Sequence, residues 1–302
     1  MVIVAEQNIT PVEPIDVLGV RVLVKREDLN HPVVQGNKRR KLKYNLIKAS
    51  HNPGQTVLTF GGAYSNHLLA TAFAAQEQQL KAIGVVRGDE LQHNHAIWSD
   101  TLYHCQRLGM VLTFISRSEY RQKEQGQTVK AMLRTTPDIL VIPEGGSNDL
   151  AVKGVAELVT EIDLQGHQPS HLICPVGTGG TLAGLVRGVG ETGWNCEVIG
   201  VAVLKGLQTV NQDITQWLAG HKAARSWRVL HDYHCGGYAK SVPELARFSV
   251  AFAQQQGFEL DKIYNSKAFY ALAQMIKSGQ LTAHDQPMII HTGGLQGGTF
   301  QP

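Results

Sequence analysis

Short apolar runs that end in turn residues alternate with longer amphipathic stretches along most of the 302 residues. No other feature constrains the fold as strongly. The runs at 56–60, 82–86, 110–115, 139–142, 171–176, 198–204 and 288–290 have strand length and are followed by turn chemistry. Between them, 65–78 is rich in Ala and Leu and opens on Ser65. The stretch 150–164 puts Val152, Val155, Ala156, Val159 and Ile162 on one face, and 242–255 begins at Val242-Pro243 with Ser241 as its expected cap. Strands apolar on both faces and separated by helices define an α/β fold with a mainly parallel sheet. In such sheets ligands bind beyond the carboxyl ends of the strands, so the chemistry is sought in the turns that follow them.

Composition removes several classes. Apolar residues make up 43% and charged residues 18%, enough for a large core and too little charge for a disordered chain. The net charge is 28 − 25 = +3, and the densest basic patch is Lys38-Arg39-Arg40-Lys41 followed by Lys43. That is too short for a nucleic-acid face with interleaved aromatics. Cys105, Cys174, Cys196 and Cys235 stand singly, in the spacing of neither a disulfide framework nor a metal site. The opening Met1-Val2-Ile3-Val4-Ala5-Glu6 is not read as a signal peptide, and the longest uncharged run, 168–186, is too polar for a membrane span. The expectation is a soluble cytoplasmic protein. Length suggests two domains, with 50–54 and Pro143-Glu144-Gly145-Gly146 as the candidate boundaries.

Four turns carry polar chemistry. Gly177-Thr178-Gly179-Gly180-Thr181 follows the run at 171–176 and opens an amphipathic stretch. Backbone N–H groups at a helix start, small residues and Thr hydroxyls suit a phosphate; an ordinary Gly-rich turn would use the same residues. Leu182 stands where the dinucleotide fingerprint needs its third Gly, and no Lys follows as in a Walker loop. Lys38, after Gly36-Asn37, begins a helical stretch where the dipole disfavours an ammonium. Neighbouring cations are expected to lower its pKa toward the neutral amine of a Schiff-base lysine; the bland alternative is a solvated basic helix face. Ser65-Asn66-His67 follows Gly61-Gly62, and Ser65 can serve as a helix cap, as a ligand group, or both. His291-Thr292-Gly293-Gly294 follows the last run. A phosphorylated aldehyde cofactor uses parts of this kind.

In this order and over nearly the whole chain, Gly36-Asn37-Lys38-x-Arg40-Lys41-Leu42, Ser65-Asn66-His67 and Gly177-Thr178-Gly179-Gly180-Thr181 resemble the 1-aminocyclopropane-1-carboxylate deaminase/D-cysteine desulfhydrase family. Pro143-Glu144-Gly145-Gly146-Ser147-Asn148, Gly237-Tyr238, Asp261-x-Ile263-Tyr264-x-x-Lys267-Ala268 and His291-Thr292-Gly293-Gly294 are similar as well. The family comprises pyridoxal-phosphate enzymes of the tryptophan-synthase-β group, fold type II. Dehydratases of that group carry Ser-x-Lys and Ser-Gly-Asn-His patterns, which are absent here.

The resemblance implies a large cofactor domain of residues 1–49 plus 144–302 and a small domain of 50–143. It implies pyridoxal 5'-phosphate held by the Lys38 amine, with Lys41 near the phosphate, Gly177, Thr178, Gly179, Gly180 and Thr181 around it, Asn66 at the phenolic oxygen and Thr292 at the pyridine nitrogen. Ser65, Tyr238 and Tyr264 would join Lys38 in catalysis; Ser65, Asn66, His67 and Tyr264 would contact substrate. A neutral Thr292 would not hold the ring as pyridinium the way a carboxylate does. No metal is implied, and a homodimer is. The expected reaction is α,β-elimination from D-cysteine to pyruvate, ammonia and sulfide. The alternatives are deamination of 1-aminocyclopropane-1-carboxylate to 2-oxobutanoate, and a cofactor-fold binding protein with little activity. Position 265 bears on the choice: deaminases have Tyr-Glu-Gly and desulfhydrases Tyr-Thr-Gly where this chain has Tyr264-Asn265-Ser266. Asn265 cannot supply the carboxylic proton of the deaminase pattern.

Overall fold

The computed structural model describes residues 9–295 apart from Pro53 and Pro137. The reading of Met1 to Glu6 lies outside them. The chain opens with a hairpin, β1 (Val12–Val17) and β2 (Val20–Lys25), closed by Leu18 and Gly19 at φ +53° and +81°. Two central residues at positive φ match the twist of the flanking strands. Then come α1 (Asn37–Ser50), β3 (Thr56–Gly61), α2 (Asn66–Glu77), β4 (Lys81–Arg87), α3 (Asp100–Arg107) and β5 (Val111–Ile115). The short α4 (Arg117–Tyr120), α5 (Gln127–Thr135), β6 (Ile139–Ile142), α6 (Asp149–Leu164), β7 (His171–Val176) and α7 (Gly180–Thr192) follow. The last part holds β8 (Glu197–Ala202), α8 (Val210–Leu218), β9 (Ser226–Leu230), α9 (Pro243–Gln256), α10 (Asn265–Lys277) and β10 (Pro287–Ile290).

These strands form two sheets. One is six-stranded in the order β1-β2-β10-β7-β8-β9, parallel except for the β1–β2 hairpin. The other is four-stranded and parallel, β5-β4-β3-β6. Alternate residues of each strand face opposite layers. In the larger sheet Leu172, Cys174, Val198 and Met288 pack with α6 and α7, while Ile173, Ile199, Val201 and Ile289 pack with α10. In the smaller sheet Val57 and Val86 face α1 and α2, whereas Leu58, Phe60 and Val85 face Tyr120 and Val129. Helices on both faces make the all-apolar strands the stable solution.

Some local expectations change. The run 198–204 is a strand only to Ala202, and Met110 precedes its strand. Ser241 does not cap α9: Val242 is the N-cap residue, Pro243 takes the first helical position, and the Ser241 hydroxyl turns to the Val242 carbonyl. Proline needs no partner there because its missing N–H is one the helix start leaves free anyway. The basic patch is not a solvated face. Arg40 and Lys41 are buried, Arg40 pairing with Glu27 at 2.8 Å and Glu161 at 2.7 Å. No helix of the described residues is long and apolar enough to cross a membrane.

Candidate active site

The carboxyl ends of the strands in both sheets open on one cavity of about 460 Å³. Every site residue expected from the sequence lies on its wall except Gly180, the first residue of α7. The larger sheet supplies the turns after β7 and β10; the smaller supplies those after β3 and β6.

Lys38 is held there by the turn that precedes α1. Gly36, at φ +63°, presses against the turn after β10, and a Cβ on it would stand 1.8 Å from the Thr292 carbonyl oxygen. No other residue fits that contact. Lys38 Nζ donates to Asn37 Oδ1 at 2.8 Å, and Asn37 Nδ2 donates to Thr181 Oγ1 at 2.8 Å, joining the amine to the Gly-rich turn. Burial lowers the Lys38 pKa to about 8, against a small opposing pull from Asp261. The cause is therefore desolvation rather than the neighbouring cations expected from the sequence.

Lys41 lies one turn further along α1, 2.5 Å from the Gly145 carbonyl and 2.8 Å from Ser147 Oγ. Ser147 Oγ in turn meets Thr178 Oγ1 at 2.5 Å. Burial, with Lys38 second, pushes the Lys41 pKa well below the ordinary lysine value. Among the described residues the one carboxylate on the wall, Glu144, is engaged by Tyr120 at 2.6 Å and Lys123 at 2.8 Å. Two desolvated amines thus face the cavity beside the first N–H groups of α7, which have no partner inside the helix. Such an arrangement favours an anion, and a phosphate monoester is one.

The glycines of the turn after β7 have separate reasons. Gly179 sits at φ +83°, and a Cβ there would meet the Val210 side chain at 2.9 Å, on the core side. A Cβ on Gly180 would meet Ser147 Oγ at 2.6 Å. Gly177 alone would send a Cβ toward a cavity residue, 3.3 Å from Tyr264 Cε1. The expectation that Gly179 keeps space for an anion is corrected: it keeps a left-handed turn and a packed helix.

Ser65 both caps and lines. Its Oγ accepts from Leu68 N at 3.2 Å while the residue, with Asn66, stands on the wall. His67 is buried, with Nε2 2.7 Å from Thr59 Oγ1. The Thr59 hydroxyl hydrogen goes to the Ile142 carbonyl at 2.8 Å, so His67 Nε2 is the donor and Nδ1 keeps its lone pair. That Nδ1 has no partner among the described residues, and burial together with Lys38 and Lys41 holds the imidazole pKa well below its ordinary value. Tyr238 and Tyr264 stand on the same wall, and burial raises both phenols. Lys38 Nζ is 6.0 Å from the Tyr264 ring centre. The buried Lys267 ammonium donates to the Gly237 carbonyl at 2.7 Å and the Val203 carbonyl at 3.0 Å, fixing the turn that carries Tyr238.

Asn265 is elsewhere than its place beside Tyr264 suggested. It is fully buried beneath the turn after β10, off the cavity wall, and bonds Asp261, Gly293 and Thr292. Arg87, at the end of β4, lines the cavity and was not singled out by sequence, although a charge directly after an apolar strand was a usable signal. Among the described residues no cluster of His, Cys, Asp or Glu is placed to hold a metal.

Residues 5–293 match the family described as pyridoxal-phosphate dependent enzymes, and the chain belongs to that family. Its cofactor is pyridoxal phosphate. A Thermotoga maritima protein that carries the provisional name 1-aminocyclopropane-1-carboxylate deaminase is 32% identical over 294 residues, 92% of this chain and 90% of that one. The D-cysteine desulfhydrase of Serratia proteamaculans is 27% identical over 305 residues, covering 94% and 91%. A crystal structure described as an ACC deaminase homologue superposes with a TM-score of 0.83 at 28% identity, over 95% of this chain and 90% of the other. The architecture is that of the fold type II enzymes.

Proposed function

We propose that the enzyme removes hydrogen sulfide and ammonia from D-cysteine by α,β-elimination. The observation that carries this reading is the composition of the wall around Tyr264 and Thr292. Opening a cyclopropane puts charge on carbon and requires a stronger acid than the phenols of Tyr238 and Tyr264, both of which burial makes weaker acids still. Asn265 is an amide and faces away from the cavity, and Glu144 is tied to Tyr120 and Lys123. A thiolate leaves as a stable anion and needs no such acid.

Lys38 Nζ would hold the cofactor's aldehyde carbon, with Lys41 and the turn from Gly177 to Thr181 at its phosphate, Asn66 at the phenolic oxygen and Thr292 at the ring nitrogen. Bound pyridoxal phosphate withdraws electrons from the α-carbon of a linked amino acid, so that its proton is labile and its β-substituent can depart. Lys38, with its pKa lowered to about 8, is far more readily neutral than an ordinary lysine and would take that proton at Nζ. Tyr264 and Tyr238, both phenols in this range, orient the substrate and present O–H donors to the departing sulfur. Ser65 and the free N–H groups at the start of α2 bind the carboxylate. The C–S bond would break with its electron pair on sulfur, giving HS⁻. Lys38 Nζ would then reclaim the cofactor, and the released three-carbon fragment would be hydrolysed by water to pyruvate and ammonium.

The same reading takes residues 1–49 with 144–302 as the cofactor domain and 50–143 as the small domain. It is supported by the separation of β3 to β6 into their own sheet. It also includes a homodimer in the cytoplasm. Steady-state assays with D-cysteine and 1-aminocyclopropane-1-carboxylate decide the substrate. Pyruvate and sulfide from the first, with a kcat/KM well above that for 2-oxobutanoate from the second, is the expected result. The reverse order overturns it.

A further inference from the structure

Asn265 has every hydrogen-bonding valency assigned. Its Nδ2 donates to Asp261 Oδ1 at 2.6 Å and to the Gly293 carbonyl at 2.7 Å. The Gly293 carbonyl has no proton to give, so the amide cannot be turned over, and Oδ1 must face Thr292. That oxygen accepts the Thr292 N–H at 2.9 Å and lies 3.2 Å from Thr292 Oγ1. An amide oxygen holds no hydrogen, so the hydrogen between the two oxygens is the threonine's own. Asp261 sits behind, with its carboxyl oxygens receiving the N–H groups of Ile263, Tyr264 and Asn265 at 2.8–3.0 Å besides the Asn265 amide. Thr292 is the member of this line that reaches the cavity wall.

We propose that Asn265, backed by Asp261, directs the Thr292 O–H inward, so that Thr292 presents only lone pairs to the cofactor's pyridine nitrogen and thereby keeps a proton on it. This rests on the placement of Thr292 at that nitrogen in the reading above. A hydroxyl free to rotate can donate to an unprotonated ring nitrogen or accept from a protonated one. The Asn265 acceptor removes the first choice. A pyridine nitrogen facing two lone pairs repels them unless it carries hydrogen, and each hydrogen bond in the line from Asp261 polarises the next. The chain therefore reaches with an amide and a hydroxyl what a carboxylate in contact with the ring reaches directly: a stronger electron sink. This is the opposite of what an isolated neutral threonine implies. Asn265 and Asp261 are positioning residues, since neither touches the cavity.

The test is the ¹⁵N chemical shift of the holoenzyme reconstituted with pyridoxal phosphate labelled at the ring nitrogen, against the free cofactor in acid and in alkali as references. Wild type and Thr292→Ser are expected at the protonated reference. Asn265→Ala frees the hydroxyl to donate and Thr292→Val removes the acceptor, so both are expected to move toward the unprotonated reference. An unprotonated nitrogen in wild type, or an Asn265→Ala shift equal to a protonated wild type, overturns the proposal. Thr292→Val is isosteric and decides the point if Asn265→Ala does not yield folded protein. A wild-type signal that is protonated and unmoved by Thr292→Val instead overturns the placement of Thr292 on which the proposal rests, with the attachment at Lys38 judged separately by adduct mapping.

Discussion

Lys38 owes its chemistry to desolvation, and desolvation gives it a pH signature. Its pKa is lowered from the ordinary 10.5 to about 8. The neutral amine is the form that captures an aldehyde. The rate of cofactor capture by apoenzyme should therefore rise with pH to about 8 and level off there, where an ordinary lysine would keep gaining to about 10.5. Stopped-flow absorbance across this range checks it, and a rate still climbing above pH 9.5 contradicts it. The glycines separate in the same way. Gly177→Val should crowd the cavity and lose one or more charge-assisted bonds to the phosphate. Each is worth about 1.5–3 kcal/mol, or roughly 10- to 150-fold in affinity. Gly179→Val should lower the apoenzyme's melting temperature instead, because it strains a left-handed residue against Val210. Comparing apo melting temperatures and cofactor affinities of the two variants checks both halves. Lys38, the Gly-rich turn and Ser65 were legible because each is a chemical type at the end of an apolar run. Asn265 was not, since adjacency to Tyr264 in sequence says nothing about which side of a helix start a side chain takes.

Helix α1 carries Lys38 and is anchored by charges that sequence presents as ordinary surface residues. Lys25 on β2 and Arg40 on α1 both pair with Glu161 on α6, and Arg40 also pairs with Glu27. The partners are 136 and 121 positions apart, beyond the reach of any local pattern. All are essentially buried, so removal of one partner leaves uncompensated charge. Glu161→Ala should cost about 3–5 kcal/mol, read from urea unfolding of the apoenzyme. A loss under about 1 kcal/mol would mean that water reaches this network. The strands missed by sequence have the matching explanation. Of the three missed, β1 and β9 are edges with Pro14, Asp16, Ser226 and Arg228 exposed, and β2 sets exposed Arg21 between buried Val20 and Val22. The two-sided apolar signature that reveals a central strand is absent from them.

At the scale of the whole molecule, the site belongs to both sheets. Lys38, Thr292 and the turn after β7 come from elements around the larger one, whereas Ser65, Asn66, His67 and Arg87 follow strands of the smaller. The alternation of runs disclosed the α/β class and seven of the ten strands among the described residues. It did not disclose how two separate sheets share one cavity, because that depends on which strands pair. Cofactor binding should therefore slow amide exchange in α2 as well as at the start of α7, and stabilise the fold by about 2.7 kcal/mol at a hundredfold excess over Kd. Hydrogen-exchange mass spectrometry of apo and holo forms checks this, and protection confined to the turn after β7 would contradict a shared site.

The claim on which the rest depends is that Lys38 holds the cofactor. Borohydride reduction of the holoenzyme, followed by proteolysis and peptide mass mapping, addresses it directly. One pyridoxyl adduct is expected, on Lys38, with loss of the visible absorption band. An adduct on Lys41 or Lys43, or no chromophore after reconstitution, would contradict it.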